Sequence, residues 1–107
     1  MRYSIQTIKY DLLCVLREYD SDGSRWSIAT SPLPPAESLA ALGLNAADYV
    51  YVGKPASTPR AAEIARDFFA ERFGVSTTPV RAAPDRPADW VLLYRLKECI
   101  SAPVTML

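Results

Sequence analysis

Tyr49-Val50-Tyr51-Val52-Gly53-Lys54-Pro55-Ala56-Ser57-Thr58-Pro59-Arg60-Ala61-Ala62-Glu63-Ile64-Ala65-Arg66-Asp67-Phe68-Phe69-Ala70-Glu71-Arg72-Phe73-Gly74 is the stretch on which the fold turns. Alternating aromatic and β-branched residues from Tyr49 to Val52 predict a strand. Thr58 is placed to cap a helix whose first position is Pro59, where the missing N–H costs nothing. Gly74, free to take positive φ, stops it at C′. A strand followed by one capped amphipathic helix of this length points to a helix packed on a sheet.

Outward from that unit, the signals are punctuated by proline and glycine. Upstream, Pro32, Pro34 and Pro35 interrupt any ladder, and Pro35 suits the first turn of a short helix through Leu42 that Gly43 ends. Before the prolines, Leu12 to Tyr19 reads as a strand with apolar residues on both faces. Asp20-Ser21-Asp22-Gly23 supplies turn chemistry, and Arg25 to Thr30 returns with Trp26 and Ile28 on one face. That reading predicts a hairpin, preceded by a further strand over Tyr3 to Lys9. Downstream, a Pro/Ala/Asp-rich loop from Thr77 to Asp89 leads into a strand from Trp90 to Ile100, with Trp90, Leu92, Tyr94 and Leu96 on one face. The expected fold class is α+β. Its parts are an antiparallel or mixed sheet of four to five strands, one main helix over about 59–73 and a short helix over about 35–42 packed on it. Residues 1–107 are expected to form a single domain, with 102–107 a frayed tail, although Thr105-Met106-Leu107 also fits a carboxyl-terminal ligand captured by strand addition.

The chain has 107 residues, half of them apolar, and 12 basic against 12 acidic side chains. A zero balance gives no electrostatic reason to expect nucleic acid or an anionic membrane as partner, and it offers little resistance to self-association. The first residues lack the apolar core of a signal peptide, and no apolar run approaches a membrane span, so a cytoplasmic location without membrane contact is expected. Cys14 and Cys99 fall on separate expected strands with no motif spacing and read as buried free thiols of a reducing compartment. Abundant alanine and an excess of arginine over lysine suggest a bacterial source, with a phage or mobile element as a further expectation.

Chemistry is constrained by what is missing. With no histidine, Ser-His-Asp and Cys-His hydrolysis and His-containing zinc sites are excluded. Glu63, Asp67 and Glu71 share one face of the main helix, a spacing that reads as a solvated stripe rather than a cation site. Glu18, Asp20, Asp22 and Gly23 imitate the start of a calcium loop, but Glu18 stands where an aspartate is wanted and Ala29 where a bidentate glutamate is needed. Gly53-Lys54 lacks the rest of a phosphate loop: Asp48 replaces its first glycine and Pro55 its hydroxyl residue. Tyr51-Val52-Gly53-Lys54, with Arg60 and Glu63 on the following helix, resembles the second tripeptide of the GIY-YIG nucleases. No Gly-Ile-Tyr stands upstream at the matching distance, so the tyrosine that would activate the nucleophile has no counterpart. No catalytic residue, metal site or cofactor is expected.

Two functions follow. On the main helix, Ala61, Ile64, Ala65 and Phe68 form the stripe expected to face the sheet. Phe69, Phe73 and Ala62 widen it to nearly half the circumference, with Arg72 inside the arc. Two phenylalanines carry roughly 3–6 kcal/mol of burial, too much to leave in water. That side must meet the long loop after Gly74, the short helix or another subunit; in the last case Phe69, Arg72 and Phe73 are the candidate contacts for a protein partner or a second copy, in an interaction or regulatory module that works as a homodimer. The alternative is a nucleic-acid-binding or nucleic-acid-processing domain in which Tyr49, Tyr51, Lys54 and Arg60 gather cations beside stacking faces.

Overall fold

The computed structural model describes residues 2–19, 22–80 and 85–97. Its elements run α1 (Ile5–Tyr19), β1 (Ser27–Ser31), α2 (Pro35–Ala41), β2 (Tyr49–Pro55), α3 (Pro59–Phe73), β3 (Ser76–Thr77) and β4 (Trp90–Leu96), with 3₁₀ turns at Gly23–Arg25 and Ala46–Asp48. The four strands form one sheet in the order β2-β4-β1-β3. β4 is antiparallel to both neighbours, whereas β1 and β3 are parallel, so the sheet is mixed. This is an α+β fold in three layers. Helices α1 and α3 cover one face of the sheet, and the short α2 covers part of the other.

The largest departure from the sequence reading lies before Pro32. Tyr3 makes only an isolated bridge to Ala56, Ile5 to Tyr19 is one helix rather than two strands, and the expected hairpin does not form. Ile8, Leu12 and Leu16 recur at helical spacing and are fully buried. The Ser4 hydroxyl accepts from Thr7 N–H at 3.3 Å and opens the helix. Cys14 is therefore an exposed helical residue rather than a buried strand thiol. Gly23 does not serve a positive-φ turn: it lies in a 3₁₀ turn pressed against the end of α3, where a Cβ would collide with the Phe73 carbonyl. Cys99, the expected last strand beyond Lys97, Asp20 and Ser21 of the expected turn and the 102–107 tail fall outside the described residues.

Elsewhere the local chemistry matches the fold. Thr58 Oγ1 accepts from Ala61 N–H at 3.0 Å, and Gly74 closes α3 at φ 69°. α2 starts at Pro35 and is followed by Gly43 at φ 80°. Alternation along β4 divides two cores. Val91 and Leu93 join Ile8, Leu12, Leu16, Trp26, Ile28 and Phe69, while Leu92 and Tyr94 join Leu39 of α2. A buried hydroxyl pair fixes α2 to β1: Ser31 Oγ lies 2.6 Å from Ser38 Oγ, which donates to the Leu33 carbonyl at 2.8 Å. The wide apolar arc of α3 now has its cause. Ala61, Ala62, Ala65 and Phe69 are buried because α3 meets the sheet on one side and α1 on the other. A helix wedged between a sheet and a second helix needs a broader apolar face than one lying on a sheet alone.

Candidate functional site

The alternation of β2 sorts its side chains to opposite sides of the sheet. Val50 and Val52 pack into the core beneath α1 and α3, and Lys54 follows them to that side. Its ammonium sits 3.4 Å from Asp11 of α1 and 4.9 Å from the Tyr3 ring centroid. Tyr49 and Tyr51 face the other way. Tyr49 packs edge-on against Tyr94 at 5.9 Å, and Tyr51 remains 38% exposed. Arg60 stands at the start of α3, paired with Glu63 at 3.0 Å. The sheet thus separates the two tyrosines from Lys54 and does not gather the four residues of the nucleic-acid reading.

The three candidate contact residues on α3 also part company. Phe69 is fully buried by the chain's own core, and Phe73 packs half-buried beside it with ring centroids 5.7 Å apart. Arg72 stays exposed, its guanidinium 5.7 Å from the Phe68 ring, which Lys9 covers from α1 at 4.3 Å. Two cations over one half-buried ring shield most of what the apolar arc would otherwise show to water. Arg95, which the sequence reading did not single out, is nearly buried on β4, 5.9 Å from the Trp26 ring.

Two carboxylates of the α3 stripe are held in ion pairs. Glu63 pairs with Arg60, and Asp67 accepts from Arg66 Nε at 3.0 Å. Among the described residues no three potential ligands come together to hold a metal ion. Asp22 caps the 3₁₀ turn: the Ser24 hydroxyl at 2.6 Å and the Ser24 N–H at 3.0 Å donate to its carboxylate. Those two bonds, and then the charge of Arg25, hold its pKa below the ordinary 3.8. An open cavity of about 420 Å³ lies between α3 and the β1–β3 pair, lined by Thr30, Arg66, Asp67, Thr77 and Thr78. Among the described residues that line it, the one guanidinium, that of Arg66, is bound to Asp67.

The remaining feature is the outer edge of β2. In the β2–β4 ladder Ala56 N–H donates to the Asp89 carbonyl and Lys97 N–H to that of Asp48, so the even-numbered residues of β2 bond inward. The odd-numbered residues Tyr49, Tyr51, Gly53 and Pro55 then direct their backbone groups outward. Two of these are used: Tyr49 N–H donates to the Ala46 carbonyl, and the Pro55 carbonyl accepts from Tyr3 N–H at 2.9 Å. Arg2 fastens the Tyr3 segment there through Asp89 at 2.6 Å. Among the described residues, nothing bonds the Tyr49 carbonyl or either backbone group of Tyr51 and Gly53. No charged side chain or proline falls between Tyr49 and Gly53. The signal for this edge was partly in the sequence, as a proline-free strand, but strand order depends on distant contacts that local patterns do not reveal.

No helix among the described residues is long and apolar enough to cross a membrane. Comparison with protein families, curated proteins and solved structures finds no match to this chain.

Proposed function

We propose that the chain is a small non-catalytic interaction or regulatory module whose contact surface is the open edge of β2. One observation carries this reading: between Tyr49 and Gly53 the Tyr49 carbonyl and both backbone groups of Tyr51 and Gly53 face outward unbonded, with no blocking charge, beside the exposed ring of Tyr51. Such an edge is a template for another strand. The contact surface of this proposal therefore lies at β2 instead of at Phe69, Arg72 and Phe73, because Phe69 is covered within the chain. An exposed Cys14 thiol suits a reducing, cytoplasmic setting, and the alanine- and arginine-rich composition suits a bacterial source.

A photo-crosslinking amino acid at position 51, in cells producing the chain, tests the proposal. Protein adducts from position 51, with none from the exposed position 37 on α2, are expected. If position 51 yields no adduct, the contact reading fails.

A further inference from the structure

We infer that the strand received by β2 is β2 of a second copy, paired antiparallel with Tyr51 opposite Tyr51. The inference rests on reading β2 as a contact edge and adds the partner and the register. The order Asp48-Tyr49-Val50-Tyr51-Val52-Gly53-Lys54 is self-complementary when reversed about Tyr51. Tyr51 meets Tyr51, Val50 meets Val52, Tyr49 meets Gly53, and Asp48 meets Lys54. The acidic end of one strand thus lies against the basic end of the other, twice. A register displaced by two residues loses both charge pairings, and a shift by one would turn the bonding groups away from each other.

The free backbone groups fit this register. Tyr51 N–H donates to the Tyr51 carbonyl of the second copy, and Gly53 N–H to the Tyr49 carbonyl. The two-fold axis repeats each, making four bonds from the groups left open on the edge. The one outward N–H without a role, that of Tyr49, is already held by Ala46. The glycine at position 53 is explained within the chain itself, because Pro35 of α2 fills the place a Cβ would take.

The axis stands perpendicular to the sheet, so the α1–α3 layers of both copies lie on the same face. α1 rides over β2, and Asp11, which reaches Lys54, marks the flank of α1 nearest the edge. Thr7, Cys14 and Glu18 share that flank at helical spacing and would face their equivalents across the axis. The outcome is a continuous eight-stranded sheet from two copies of the four-stranded one. Growth ends there, because the outer edge on each side is the two-residue β3.

The test combines sedimentation with disulfide trapping. The full chain should form a dimer. Tyr51→Lys, which sets like charges directly opposite each other at an exposed position, should weaken it by about tenfold. Asp48→Lys should weaken it by about fivefold. In a background with Cys14 and Cys99 replaced by serine, Tyr51→Cys should oxidise to a crosslinked dimer, because paired Cα atoms lie about 5.5 Å apart across such a ladder. Tyr49→Cys, which faces Gly53 rather than itself, should not. A chain that stays monomeric at high concentration overturns the inference. So does a dimer that survives Tyr51→Lys and fails to crosslink through position 51. If the chain is monomeric while position 51 still captures another protein in cells, self-pairing is wrong and the contact reading stands.

Discussion

The two edges of this sheet are built in opposite ways. β3 consists of Ser76 and Thr77, both exposed, and its partner β1 already spends most of its bonds on β4. An edge so short and polar offers a second chain almost nothing. β2 pairs with β4 over seven residues, carries Tyr and Val on alternate faces, and leaves its centre open. Its blocking devices sit at the ends only: the 3₁₀ turn at Ala46–Asp48, and the Tyr3 segment against Pro55 and Ser57. The difference teaches that the fold limits strand addition to one window. Sheets usually guard both edges, and the contrast between an unguarded edge and a guarded one is what the proposed contact at β2 rests on.

Breaking the comparison altogether requires removing what both edges share. Phe69 projects from α3 into the core shared with α1 and the sheet, and Phe69→Ala should cost about 3–5 kcal/mol, read from chemical unfolding. The next effect is confined to the β3 side. Gly23→Ala drives a methyl into the Phe73 carbonyl just before β3 and should cost about 1–3 kcal/mol. At about 4–8 °C per kcal/mol the melting temperature should drop visibly. Self-association through β2 should persist wherever that variant is folded. On the β2 side, Asp89→Ala releases Arg2 and the Tyr3 segment, and should cost roughly 1 kcal/mol because Arg2 is half exposed. Faster amide exchange at Ser57 would report the longer open edge. The smallest effect belongs to Asp22, beside Gly23 on the β3 side of the molecule. Its pKa is lowered on folding, so its stabilising contribution is full above 3.8 and is lost as pH falls through the lower folded value. A carboxyl-carbon NMR titration should place the midpoint below 3.8, with no change in self-association in Asp22→Asn.

Legibility in the sequence followed how local each signal was. Thr58, Pro59 and Gly74 bounded α3 because cap and φ requirements act within a turn, and Pro35 with Gly43 bounded α2 for the same reason. Leu12-Leu13-Cys14-Val15-Leu16 was misread because a continuous apolar run carries no period of its own. The stronger cue was wider: Ile5, Ile8, Leu12 and Leu16 at helical spacing, with no glycine or proline between Arg2 and Tyr19. The turn residues after Tyr19 suggested a hairpin, but Asp22 instead caps a 3₁₀ turn between helix and strand. That error propagated to the candidate surface. With no helix expected before Pro32, the cover for the wide face of α3 is sought in the loop after Gly74, in the short helix or in a second subunit, whereas α1 supplies it. The self-complementary order around Tyr51 was present throughout, but only strand order shows that β2 lies at an edge.

Amide hydrogen exchange across a dilution series tests the central claim most directly. Tyr51 and Gly53 N–H groups point outward from β2, and Thr77 N–H points outward from β3, since Ser76 and Thr78 donate to β1 and the residue before it. The account predicts that protection at Tyr51 and Gly53 rises with concentration while Thr77 exchanges at one rate throughout. Equal, concentration-independent exchange at all three would show that the β2 edge is as closed to a second copy as the β3 edge, and would contradict it.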